Sequence, residues 1–182
     1  DYYNSAASKY TVGGDTGHFM FISVFDHAAD TLRVMLATGR DGVIYDRYDR
    51  SPFIRNDRPF DRGGIYVCPG IHRVGNECLL PYVAVERKHG DAEEGVRGDG
   101  GFVMLRIRPD RFQGLDTRTK FEFTLAGEID PRCPVSVNAD IRGSVRAGLI
   151  EGGPYGRYIE GFAPEDCAPL RGDGDRLMLA WR

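Results

Sequence analysis

Residues 18–47, HFMFISVFDHAADTLRVMLATGRDGVIYDR, decide the fold class of this chain. Apolar side chains recur at roughly every second position in two runs, Phe19, Phe21 and Val24, then Leu32, Val34 and Leu36. This period is typical of β-strands that bury one face. Asp41-Gly42 then supplies a pair suited to positive φ in a tight turn, and Tyr45 ends a short third strand. The stretch predicts three consecutive strands of an all-β protein, with Asp41 shaping a turn.

The composition agrees with an all-β class. The 182 residues are 41% hydrophobic, enough to bury a core as one large or two small domains. The 24 glycines and 10 prolines suit short strands joined by many turns, and no window of a dozen residues has an amphipathic helical period. We therefore expect little helix.

Charge and hydropathy exclude two classes of partner. The net charge is −3, with acids and bases interspersed, so the positive field of a nucleic-acid-binding protein is missing. No apolar run approaches the roughly 18 residues that span a bilayer. We expect a soluble protein that binds neither nucleic acid nor membrane.

The four cysteines show neither a CxxC pair nor a Cys/His cluster with zinc-like spacing; they are Cys68, Cys78, Cys133 and Cys167. No metal or cofactor is predicted. A hairpin about Gly75-Asn76 pairs Arg73 with Cys78 and sets Cys68 opposite Val83, so these two thiols should not meet. We expect free, mostly buried thiols, with a Cys133–Cys167 bridge as the alternative. This favours the cytoplasm over secretion while leaving both open.

Turn signals divide the chain into propeller-like sheets and a C-terminal sandwich. Residues 1–50 and 51–116 each contain strand, hairpin, strand and turn at a spacing of about 45 to 50 residues, the period of propeller blades. A charged excursion, residues 86–101, should be a solvated loop in the second section. In residues 117–182, five short strands predict a β-sandwich; they are 121–126, 135–139, 144–150, 157–162 and 177–181.

Several short motifs then carry a family resemblance. They are GRDGVIY at 39–45, RKHG at 87–90, LRIRPDRF at 105–112, NAD at 138–140 and GFAPEDC at 161–167. In this order they resemble the C-terminal part of bacterial glycoside-hydrolase-like proteins, in which a five-bladed β-propeller precedes a β-sandwich. The resemblance implies action on a glycan, with catalytic carboxylates on the inner strands of early blades. Two blades alone leave open sheet edges. Either the chain works beside a missing N-terminal part, or its strands form a self-contained sandwich.

Candidate site residues follow from these inner strands. Glycoside hydrolysis uses two carboxyl groups about 5 to 9.5 Å apart. Asp1 and Asp61 precede the two inner strands and are the catalytic candidates. Tyr3 and Tyr66 lie within those strands, and aromatic rings of this kind stack on sugar faces.

Arg87 and His89, in the loop mouth, can donate hydrogen bonds to sugar hydroxyls or to a uronic carboxylate. A complete catalytic pair is not evident in the chain. Three functions stay open: part of a glycoside hydrolase, a carbohydrate-binding module for an oligo- or polysaccharide, and a structural module whose open edges a second copy covers.

Overall fold

A computed structural model describes residues 1–12, 15–91, 100–127, 129–130 and 132–182. The chain divides into two compact units, Asp1–Arg108 and Pro109–Arg182. The first unit thus ends before residue 116, where the sequence placed the boundary. All regular structure in the described residues is β-strand, so the predicted all-β class is confirmed. Within those residues no helix has the length and apolar character needed to cross a membrane.

The first unit contains one seven-stranded mixed sheet with the order β1-β2-β3-β4-β6-β5, in which β7 also pairs with β6. The strands are β1 (Tyr2–Val12), β2 (Asp15–Asp26), β3 (Thr31–Gly39), β4 (Gly64–Val67), β5 (His72–Val74), β6 (Glu77–Val85) and β7 (Gly100–Ile107). A parallel bridge between Leu32 and Gly64 joins the strands of the two predicted blade-sized sections. The two sections therefore share one sheet.

The central strand β3 is buried on both faces. Leu32, Val34 and Leu36 lie on one face as predicted, and Met35 and Ala37 are buried on the other. The proline-bearing loop after β3 contributes to this burial. Its residue Ile54 forms a β-bridge with Val34, and its Phe53 ring lies 5.5 Å from that of Phe21. The core of the first unit therefore extends to both sides of β3.

The predicted turn after β3 is present, but the short third strand is not. The Asp41 carboxylate accepts hydrogen bonds from the backbone N–H groups of Val43 (2.8 Å) and Ile44 (2.9 Å), and these bonds lower the pKa of Asp41. Gly42 has a φ of 75°. A wide loop follows, and the expected strand is reduced to one bridge between Thr38 and Asp46. Asp41 therefore shapes a turn, as expected.

The Gly75-Asn76 hairpin forms in the predicted register. Arg73 is opposite Cys78, and Gly75 has a φ of 58°. Cys68 lies opposite Pro81 rather than Val83, because a bend separates β4 from β5. All four cysteines are free; Cys78 and Cys167 are buried, Cys68 is partly buried and Cys133 is exposed. The predicted loop residues 92–99 lie outside the described residues.

The sheet curls so that β1 approaches strands that are not its neighbours. The Ser8 hydroxyl accepts a hydrogen bond from the backbone N–H of Gly70 (2.8 Å), and the Cys78 thiol donates to the Tyr10 hydroxyl (3.3 Å). The Ser23 hydroxyl donates to the Ile65 carbonyl across the same interior (3.1 Å). The curl brings the start of β1 close to β4.

The second unit contains two small antiparallel ribbons. They are formed by β8 (Ser136–Val145) with β11 (Leu170–Met178), and by β9 (Ile150–Glu151) with β10 (Arg157–Tyr158). The strand predicted at 135–139 lies almost entirely in β8, whereas of the strand predicted at 144–150 only residues 144–145 belong to β8 and residue 150 to β9. The strand expected at 121–126 does not form: this segment pairs with no strand in the described part of the chain.

Candidate functional site

Four ring side chains from four parts of the first unit form the candidate site, here called the aromatic cluster: Tyr3, Phe25, Tyr66 and His89. The Tyr3 ring lies 4.9 Å from His89 and 6.1 Å from Tyr66, in both cases edge to face. The Phe25 ring lies 5.2 Å from His89. Three of the predicted substrate-binding residues, Tyr3, Tyr66 and His89, therefore meet in space.

A β-bulge at Tyr3 helps to build the cluster. The register shifts between Tyr2, opposite Val24, and Asn4, opposite Ser23, so that Tyr3 has no partner on β2. A bulge re-aims a side chain that simple alternation would turn to the other face. Tyr3 in this way reaches Tyr66 on β4, and 51% of its surface stays exposed.

Asp30 fixes the loop that carries His89. Asp30 adopts a left-handed conformation with a φ of 56° at the end of the β2–β3 turn. Its carbonyl accepts a hydrogen bond from the N–H of His89 (3.1 Å), and its carboxylate accepts one from the N–H of Gly90 (2.9 Å). The turn thus holds the imidazole beside Tyr3 and Phe25.

Tyr66 and His89 share a polar contact within the aromatic cluster. The Tyr66 hydroxyl lies 3.3 Å from His89 Nδ1. Burial, and then the neighbouring Tyr3, raise the pKa of Tyr66, so its hydroxyl stays protonated at neutral pH. The hydroxyl can donate to a neutral imidazole, which leaves Nε2 as the nitrogen that can serve a ligand.

Asp1 extends the site at its margin. Its carboxylate lies 2.8 Å from His27 Nε2, and both side chains are largely exposed. The His27 ring in turn lies 4.7 Å from Phe25, so this pair borders the aromatic cluster. Asp1 is therefore an accessible hydrogen-bond acceptor beside the rings.

Asp61, the other predicted catalytic residue, has no exposed surface. Its carboxylate accepts a hydrogen bond from the backbone N–H of Arg58 (2.9 Å) and lies 3.6 Å from the Arg58 guanidinium. The Tyr82 hydroxyl lies 3.5 Å away, and its pKa is raised by burial and by the Asp61 carboxylate. Asp61 is thus a buried carboxyl group that ties the loop before β4 to β6.

Arg87 is partly buried just after β6, and its backbone passes against Gly63. Of the predicted site residues, Asp1, Tyr3, Tyr66 and His89 make contacts at or beside the aromatic cluster. The described residues contain no group of three or more His, Cys, Asp or Glu side chains placed to hold a metal ion.

Two members of this arrangement escaped prediction from the sequence. Phe25 and Asp30 were not among the candidate residues that the sequence indicated. The sequence carries a weak signal for the second, because a left-handed residue that is not glycine is most often Asn, Asp or His.

Comparison of the chain with protein-family models, with curated proteins and with solved structures gives no match. The aromatic cluster offers a half-exposed ring at Tyr3 and an imidazole nitrogen at His89, with a carboxylate at Asp1 beside it. It can hold a ligand that has both apolar C–H faces and hydroxyl groups.

Proposed function

We propose that this chain is a carbohydrate-binding protein whose first unit holds an oligosaccharide against the aromatic cluster. The observation that supports this most directly is the placement of Tyr3, half exposed and braced edge to face by Tyr66 and His89. A braced ring loses little conformational freedom when a sugar stacks on it. The pyranose C–H face would lie on Tyr3.

Polar groups at the edge of the cluster support the same class of ligand. His89 Nε2–H can donate a hydrogen bond to a sugar hydroxyl, and the exposed Asp1 carboxylate can accept one. The alternation of an apolar surface with a few oriented polar groups is typical of small-ligand sites. The resemblance of the sequence motifs to glycoside-hydrolase-like proteins points to the same ligand.

Binding without turnover is the form of the proposal that the geometry favours. Hydrolysis needs two carboxyl groups about 5 to 9.5 Å apart that both reach the glycosidic bond. Asp61 is fully buried and engaged by Arg58 and Tyr82, whereas Asp1 is exposed. We therefore propose that the catalytic groups for any glycan hydrolysis lie elsewhere in a longer protein. This chain would be the C-terminal part of that protein and would bind the glycan.

Calorimetric titration of the folded chain with oligosaccharides chosen from a glycan array tests the proposal. We expect saturable binding that weakens about two- to tenfold in Tyr3→Ala, since a well-placed aromatic contact contributes about 0.5 to 1.5 kcal/mol. Tyr155→Ala is the matched control, because Tyr155 is 98% exposed and belongs to the second unit. Absence of saturable binding by folded protein, or equal losses in the two variants, contradicts the proposal.

A further inference from the structure

Residues 121–126 have the alternating pattern of a β-strand but pair with no strand in the described residues. Phe121, Phe123 and Leu125 alternate with Glu122 and Thr124. The three apolar side chains are 54%, 54% and 81% exposed. The rings of Phe121 and Phe123 lie 5.7 Å apart, so they share one side of an extended backbone. Such a segment has an apolar face with nothing to cover it in the described residues.

An unpaired strand edge occurs in the same unit. Within the described residues β8 pairs only with β11, so its other edge is open. Two-stranded ribbons are at best marginally stable alone, and a third strand with a hydrophobic face stabilises them. One face of β8 carries Ala139, Ile141 and Gly143 at alternate positions. Two of these three residues are small, so there is room beside them for large side chains of an added strand.

One antiparallel register fits the two elements together. With Phe123 opposite Ile141, Leu125 falls opposite Ala139 and Phe121 opposite Gly143, so two of the three large side chains face small residues. A large aromatic side chain next to a strand glycine compensates for the missing side chain.

The other face of the same register pairs opposite charges. It places Glu122 opposite Arg142, both exposed and both without a hydrogen bond or ion pair in the described part of the chain. Opposite charges at directly facing positions stabilise a strand pair, whereas like charges destabilise it.

We propose that residues 121–126 of one copy add to the open edge of β8 in a second copy, and that the second copy returns the same contact. The exchange is two-fold and closed, so it ends at a dimer rather than a fibre. It covers three exposed apolar side chains and an open edge on each copy, both of which are aggregation hazards when left bare. The inference concerns the second unit and does not depend on glycan binding.

A charge-reversal experiment on the full chain tests this pairing. Sedimentation velocity at about 1 to 100 μM should show a wild-type dimer that dissociates on dilution. Glu122→Arg sets Arg against Arg142, and Arg142→Glu sets Glu against Glu122. Each variant meets two like-charge pairs per dimer and should dimerise roughly tenfold more weakly.

Mixing the two variants is the decisive step. In a heterodimer, Arg at 122 faces Glu at 142 and Glu122 faces Arg142, so both pairs are restored and the equimolar mixture should regain wild-type affinity. Glu160→Arg is the control, because Glu160 is exposed in the same unit outside both elements, and its dimer should be unchanged. Far-UV circular dichroism checks that each variant is folded. A monomeric wild type at the highest concentration, or a mixture no tighter than the separate variants, overturns the proposal.

Discussion

The Tyr66 hydroxyl on β4 lies 3.3 Å from His89 Nδ1 in the segment after β6, and this contact joins two elements that the chain separates by 23 residues. Tyr3 packs edge to face against both rings. The contact therefore orients the imidazole and supports the ring that we propose as the sugar platform. It connects the folding of the sheet to the proposed function.

Removing this hydroxyl is the first test of the arrangement. Tyr66→Phe keeps the ring but frees His89 from its partner, so we expect glycan affinity to fall several-fold. A net loss of about 0.5 to 1.5 kcal/mol in folding stability should accompany it, the usual contribution of one hydrogen bond. Calorimetric titration and urea unfolding measure the two effects.

Tyr45→Phe is a suitable control for this variant, since Tyr45 is a first-unit tyrosine outside the aromatic cluster. If Tyr66→Phe binds glycan as tightly as Tyr45→Phe does, the orientation of His89 by Tyr66 has no part in recognition. A loss of affinity without any loss of stability would instead indicate that the Tyr66 hydroxyl contacts the sugar directly.

Alkaline pH should destabilise the first unit through two tyrosines. Burial raises the pKa of both Tyr66 and Tyr82 above the ordinary value of 10.0. The unfolded chain therefore releases these protons at lower pH than the folded chain does. Their contribution to stability is complete below pH 10 and is lost as the pH rises through the raised pKa values.

Urea unfolding between about pH 9 and 12 measures this loss. Tyr66→Phe and Tyr82→Phe should each flatten the decline in unfolding free energy, whereas Tyr155→Phe, at a 98% exposed position, should leave it as steep as in the wild type. Identical slopes in all three variants would show that neither buried phenol controls alkaline unfolding.

The local pattern of the sequence was enough to predict β2, β3 and the Arg73–Cys78 register, because alternation and turn residues act between near neighbours. The aromatic cluster depends on other causes. The bulge at Tyr3 shifts the register by one residue, and the left-handed Asp30 anchors a segment about 60 residues further on. Neither leaves a periodic signal. The strand predicted at 121–126 does not form in the described residues, because alternation alone does not determine which edge such a segment will meet.

Replacing Asp61 distinguishes a structural role of its carboxyl group from a catalytic one. Asp61→Ala leaves the backbone N–H of Arg58 and the buried Tyr82 hydroxyl without the carboxylate that they contact. We expect the free energy of unfolding to fall by about 2 kcal/mol, since unsatisfied buried polar groups cost about 1 to 3 kcal/mol each. Thermal or urea unfolding gives the value.

Asp57→Ala is the matched control for Asp61, because Asp57 is an exposed acid in the same loop and should change stability little. A catalytic Asp61 predicts a different result: unchanged stability in Asp61→Ala together with loss of aryl-glycoside hydrolysis. That combination would overturn the structural role assigned to it here.

Gly63 lets the backbone of the segment before His89 pass close to the residues before β4. A Cβ at this position would overlap the backbone carbonyl oxygen of Arg87 and lie 2.8 Å from that of Glu86. Gly63 also donates its N–H to the Val85 carbonyl at 2.9 Å, so neither strand can retreat without losing a hydrogen bond. Gly63→Ala should therefore lower the free energy of unfolding by about 2 to 4 kcal/mol and displace His89 from Tyr3.

Gly101→Ala is the control, since nothing lies within 4 Å of a Cβ there, and alanine in a strand is expected to be neutral or slightly stabilising. Urea unfolding compares the two stabilities, and glycan titration of the folded fraction reports the site. Equal stabilities for the two variants would mean that the β4–β6 contact at Gly63 yields easily and does not fix the position of His89.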